Sequence, residues 1–227
     1  MWVQMKNTLQ GKEANAKADK AKDRSRPNLI AGMELEEFLS EDSKYRLIIE
    51  KITSELGNSF SLLLVASPSE FAKVKLAVLK RFAKEKGIIL YITFNQSATK
   101  ILAELGEKGI DKKKVFFIDM VSKGKGYGLV DSENILDFES PTLLTDLLLM
   151  VEERISSKEK PGVLLLDSIS TLLVYNDKET VEKFLHSLAT KAHKTNSRVV
   201  LLASKDSDNM DTLGTISQFC DKFLVIE

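Results

Sequence analysis

A single cysteine, no net charge and no long apolar run mark these 227 residues, and each absence excludes something. Cys220 alone cannot form an intramolecular disulfide, which fits a reducing compartment. Thirty-three Lys and Arg balance thirty-three Asp and Glu, so no global field draws the chain to nucleic acid or to a membrane surface. No apolar stretch approaches the length of a membrane span. The opening MWVQMKNTLQGKE turns polar too soon for a signal-peptide core. The expectation is a soluble cytoplasmic protein with no membrane partner.

What is present suffices for one α/β domain with a proper core: the length is adequate and 43% of residues are hydrophobic. The charge is uneven along the chain. Residues 1–30 carry Lys6, Lys12, Lys17, Lys20, Lys22, Arg24 and Arg26 against Glu13, Asp19 and Asp23, leaving the remainder acidic. Residues 10–28 hold almost nothing apolar, so even a helix there has no packing face. The division expected is a basic polar tail at 1–30, disordered or a lone helix, followed by a domain at 31–227. The tail reads as a solubilising leader or as a contact for an acidic partner; Trp2, Val3, Met5 and Leu9 form at most a small apolar patch.

Beyond the tail, Leu35, Phe38 and Leu39, then Tyr45, Leu47, Ile48, Ile49, Ile52 and Leu56, recur at helical spacing until Gly57. An alternation follows. The pattern predicts strands at 61–66, 88–94, 115–121, 163–167 and 199–203, helices near 70–86, 97–108, 142–157 and 178–195, and an apolar close in KFLVIE. The strands are nearly continuous Val, Ile, Leu and Phe, as in strands buried on both faces. Strands alternating with helices imply a mainly parallel sheet covered on both sides, an α/β fold in three layers.

In such sheets ligands bind beyond the carboxyl ends of the strands. Those ends carry Ala66-Ser67, Phe94-Asn95-Gln96, Ser122, Asp167-Ser168 and Ser204-Lys205-Asp206. Asp167 closes the apolar run GVLLLD; a carboxylate there suits a magnesium ion near a triphosphate, or the cap of the following turn. The first turn, Ala66-Ser67-Pro68-Ser69-Glu70-Phe71, contains no glycine.

Four segments in this order, LLLVASPSEFAKVKLAVLKRFAKEKGIILYITF, YITFNQSATKILAELGEKGI, GVLLLDSISTLLVYND and VEKFLHSLATKAHKTNSRVVLLAS, resemble the RecA-like ATPases and most closely their KaiC-like branch. The resemblance covers residues 45–227 and implies a RecA-like three-layer fold with ATP and magnesium as the expected ligand. The departures point the other way. A phosphate loop needs glycines that let successive N–H groups turn inward, a Lys for the terminal phosphates and a hydroxyl for magnesium. Aligned on Ala66–Lys73, those places hold Ala66 and Phe71, Ala72 and Lys73; Pro68 has no N–H, and Glu70 brings a negative charge. The family's paired glutamates align with Asn95 and Gln96, amides that cannot accept a proton as a base; Asn95 also reads simply as a helix cap. Ser67, Ser69, Lys73, Asn95, Gln96 and Asp167 are therefore the expected remnant of a nucleotide site, with no catalytic residue, no metal and no cofactor retained.

Lys73 and Lys75 read as solvated lysines of a surface helix. SKGKGYGLVDS reads as a flexible loop with Tyr127 as a contact point. His186 and His193 are too far apart on one helix for a shared metal, and Cys220 packs with Ile216 and Phe219. The resulting expectation is an inactivated KaiC-like protein, a regulatory or scaffolding subunit in signal transduction. Its expected partners are proteins: an active KaiC-like relative or further copies of itself. Two alternatives stand beside it. One is a nucleotide-binding protein or weak ATPase using Ser67, Ser69, Lys73 and Asp167. The other is a DNA-recombination accessory protein, supported only by the basic tail.

Overall fold

The computed structural model of the chain describes residues 41–122, 134–138, 140–158 and 160–227. The basic tail, the Trp2 patch, Leu35, Phe38, Leu39 and the glycine-rich loop with Tyr127 lie outside the described residues. Tyr45–Glu227 forms one compact unit.

The chain enters through α1 (Glu41–Leu56), whose Tyr45, Ile49 and Ile52 are buried, and Gly57 ends it at φ +78, a left-handed stop that glycine takes without a Cβ penalty. Then come β1 (Phe60–Ala66), α2 (Phe71–Ala83), β2 (Ile89–Thr93), α3 (Ala98–Glu107), β3 (Val115–Asp119) and β4 (Ile135–Asp137). The second half runs α4 (Leu144–Ser156), β5 (Val163–Asp167), α5 (Ile169–Tyr175), α6 (Lys178–Lys194), β6 (Arg198–Ser204), α7 (Met210–Ser217) and β7 (Lys222–Ile226). Asp177 starts α6 by accepting the Thr180 N–H at 2.9 Å, and Ser168 starts α5 by accepting that of Thr171 at 3.3 Å. Both satisfy amides that a helix start leaves unpaired.

The seven strands form one sheet in the order β4-β3-β2-β5-β6-β1-β7, and every neighbouring pair is parallel. Alternate residues feed two cores. Leu62, Leu64, Ile89, Tyr91, Leu165 and Val200 face α1, α2 and α3, whereas Leu63, Val65, Leu90, Ile92, Leu166 and Leu201 face α4 to α7. Apolar side chains on both faces of a strand explain why the runs read as continuous rather than alternating. The α/β class and the three layers agree with the sequence reading.

The differences are local. Strand β4, helix α5 and helix α7 were not expected: three, seven and eight residues are too few for periodicity to separate them from loop. Strand β3 stops at Asp119 rather than at 121, because its carboxylate accepts the N–H groups of Val121 and Ser122 at 2.8 and 3.0 Å and turns the chain there.

Candidate functional site

Register places the site. Thr93, the last residue of β2, lies opposite Asp167 of β5 on one side and Asp119 of β3 on the other, so two buried carboxylates flank it at the carboxyl edge. They are satisfied differently. Asp119 accepts the Ala98 N–H at 2.7 Å, two loop N–H groups and the Ser122 hydroxyl at 2.9 Å, which makes it a structural anchor for α3 and the loop after β3. Asp167, 0% exposed, reaches charged and phenolic partners instead.

The Asp167 Oδ2 accepts the Tyr91 hydroxyl at 2.5 Å and lies 3.3 Å from the Lys75 ammonium. Lys75 also lies 3.5 Å from Gln96 Oε1. Gln96 is held there by Thr93, whose hydroxyl donates to the Gln96 carbonyl at 2.6 Å. Burial, and then the Asp167 charge, push the Tyr91 phenol well above its ordinary range, so it stays a donor. The solvated reading of Lys75 is therefore corrected. It is 9% exposed and shares the inner face of α2 with Val78, Leu79 and Phe82, and an ammonium so placed needs an opposite charge. The signal was positional: counting back from Val78, Leu79 and Phe82 by three, four and seven residues reaches Lys75, on the core stripe. Tyr91 was equally missed. It shares a strand face with Ile89 and Thr93, and its ring meets Phe117 edge-on at 5.1 Å.

The turn from β1 into α2 is closed on itself. The Ser67 N–H donates to Ile226 O at 3.0 Å, and those of Glu70 and Phe71 donate to Ser67 O at 3.0 and 2.9 Å. Three amides of the turn are thus used within the protein, and Pro68 supplies none. The Ser67 and Ser69 hydroxyls lie 3.0 Å apart. Glu70 stands at the N-cap of α2, where a negative charge is favoured by the helix dipole. Its carboxylate accepts the Tyr45 hydroxyl at 2.5 Å and pairs with Lys73 at 3.2 Å. The hydrogen bond from Tyr45 and then Lys73 hold its pKa below the ordinary carboxylate range.

Of the six expected remnant residues, Gln96 and Asp167 meet through Lys75, and Ser67, Ser69 and Lys73 meet around the turn. Asn95 is exposed and contributes to neither group. Nor does it cap α3, as expected: Ser97 is the N-cap residue, and the Ala98 amide is satisfied by Asp119. Lys205 pairs with Glu227. His193 contacts Asp221 at 3.3 Å and His186 packs edge-on against Phe219; among the described residues no three His, Cys, Asp or Glu side chains gather as a metal site. Cys220 packs with Phe219 beside the second core, as expected.

A magnesium–triphosphate ligand can be tested against these groups. In its favour, Asp167 Oδ1 is buried and has no hydrogen-bond partner among the described residues. Against it, Oδ2 is neutralised by Lys75, the Ser67, Glu70 and Phe71 amides are committed, Pro68 has none, and Glu70 would repel phosphate. At 4 Å that repulsion is about 1–4 kcal/mol for effective dielectrics of 80 to 20. The residues present do not fit that ligand.

The single parallel sheet carries Asp167 at the carboxyl end of its fourth strand in space, and its fold is RecA-like. A crystal structure of a KaiC-like protein from the hyperthermophilic archaeon Pyrococcus horikoshii OT3 superposes with TM-score 0.53 at 14% identity, over 73% of this chain and 70% of that one, which establishes likeness of fold. The chain belongs to the family described as a family of unknown function (DUF7504), whose profile matches residues 61–226. Among curated proteins none matches significantly.

Proposed function

We propose that this chain is a RecA-like domain that has given up Mg-ATP chemistry and acts in the cytoplasm as a regulatory or scaffolding subunit for other proteins. The observation that carries the reading is the pairing of charges at the carboxyl edge: Glu70 with Lys73 and Tyr45, and Asp167 with Lys75 and Tyr91. Both carboxylates that would meet a phosphate or a metal already have a lysine partner within the chain. Mg-ATP there would have to compete with both pairs, one of them buried. The intact sheet and cores leave the outer surfaces as what the fold offers to a partner. Val174 and Tyr175 at the end of α5, 77% and 52% exposed, are large apolar groups of the kind protein partners cover. No helix of the described residues is long and apolar enough to cross a membrane.

The test is a titration of the purified protein with a fluorescent ATP analogue and Mg²⁺, checked by calorimetry. The expected result is no saturation up to about 1 mM, a binding free energy weaker than about −4 kcal/mol. Saturable binding well below that concentration, abolished by Asp167→Ala, would replace this reading with that of a nucleotide-binding protein.

A further inference from the structure

We infer that Lys75 is a resident cation: its ammonium holds, at Asp167, the place that a divalent metal takes in a nucleotide-binding version of this sheet. The inference rests on the reading of a self-paired site, and it makes that reading specific to one residue. Asp167 closes β5 between β2 and β6, fully buried at the carboxyl edge. A carboxylate there must be neutralised, because removing an ion from water without a partner costs far more than the domain can spare. The neutralising charge comes from inside the chain. Lys75 lies in α2, one position beyond its first turn, and points inward to Oδ2 at 3.3 Å and to Gln96 Oε1 at 3.5 Å. Both are oxygen ligands of the type a hard cation prefers. Tyr91 donates a hydrogen bond to the same Oδ2 and so shares the neutralisation of the carboxylate with Lys75. A covalently attached ammonium is always at hand, whereas a metal must be recruited, so the carboxyl edge stays neutral and folded at any magnesium concentration. Glu70 is the complementary anion at the N-terminus of α2.

The experiment follows thermal unfolding of the full chain and of Lys75→Ala and Lys75→Ala/Asp167→Asn, each with EDTA and with increasing Mn²⁺, in the absence of nucleotide. The parent protein should show one Tm throughout. Lys75→Ala leaves Asp167 buried beside Tyr91 alone and should melt about 6–20 °C lower in EDTA. Mn²⁺ at ten times its Kd should restore about 3–6 °C, and the double variant should not respond. If Lys75→Ala fails to fold in EDTA, recovery of its far-ultraviolet dichroism on adding Mn²⁺ reads the same quantity. A Mn²⁺ response of the parent protein equal to that of Lys75→Ala, or no response of Lys75→Ala in either readout, overturns the inference. Neither result depends on ATP, so a nucleotide-binding parent protein would instead show itself in the titration above.

Discussion

Replacing Tyr91 with Phe removes one hydroxyl from the middle of the sheet and leaves the ring in place. Tyr91 is 0% exposed and its ring keeps the edge-on contact with Phe117 at 5.1 Å, so Tyr91→Phe opens no side-chain cavity. What disappears is the 2.5 Å hydrogen bond to Asp167 Oδ2. Among the described residues Asp167 Oδ1 already lacks a hydrogen-bond partner, so Lys75 would be the carboxylate's remaining partner there. A hydrogen bond to a charged group contributes about 1.5–3 kcal/mol, and this one lies where water cannot replace it. For a chain of this size each kcal/mol moves Tm by about 2–4 °C, giving a fall of about 3–12 °C. Tyr45→Phe is the natural control. It also loses a 2.5 Å hydrogen bond to a carboxylate, but Glu70 is partly exposed and keeps Lys73, so its fall should be clearly smaller. Urea unfolding of both variants, with unchanged m-values, checks the comparison. Equal losses in the two variants, or a loss below about 0.5 kcal/mol for Tyr91→Phe, would refute the claim that Asp167 is held as a buried charge.

Two further outcomes are expected. Because the Glu70 carboxyl is held below its ordinary range by Tyr45 and Lys73, its contribution is present above the unfolded-state pKa and is lost as pH falls through the folded one. The parent protein should therefore lose more stability than Glu70→Gln between about pH 5 and pH 3; parallel urea midpoints for the two over that range would contradict this. Burial, and then the neighbouring Asp221, push the Cys220 thiol up to about 12. Its thiolate fraction at pH 8 is then on the order of 10⁻⁴, and the native protein should react with an aromatic disulfide reagent far more slowly than the urea-unfolded chain. Rapid stoichiometric labelling of native protein would count against the packing described for Cys220.

Much of the architecture was legible in the residues alone. The runs LLLVA, ILYIT and VLLLD could only be strands covered on both faces, and the helical stripes between them required a parallel sheet with helices on each side. The missing glycines of the β1–α2 turn and the amides at 95 and 96 were equally plain, because these are properties of residue type at a position. Strand β4 and helices α5 and α7 were not legible, since each is shorter than the window in which a period can be counted.

The partners at the site belonged to tertiary structure. Asp167 and Lys75 are separated by most of the first half of the sheet in sequence, and only the insertion of β5 beside β2 brings β5's last residue under α2. Charge on a lysine is a property of sequence; whether that lysine is solvated or serves as a counter-ion depends on what the opposite element places against it. The sequence by itself determined the sheet, its two cores and the absence of glycine from the β1–α2 turn, because those follow from local pattern. Which charge neutralises Asp167, and that it comes from within the chain, was decided by packing, because a buried carboxylate takes whatever cation the fold brings within reach.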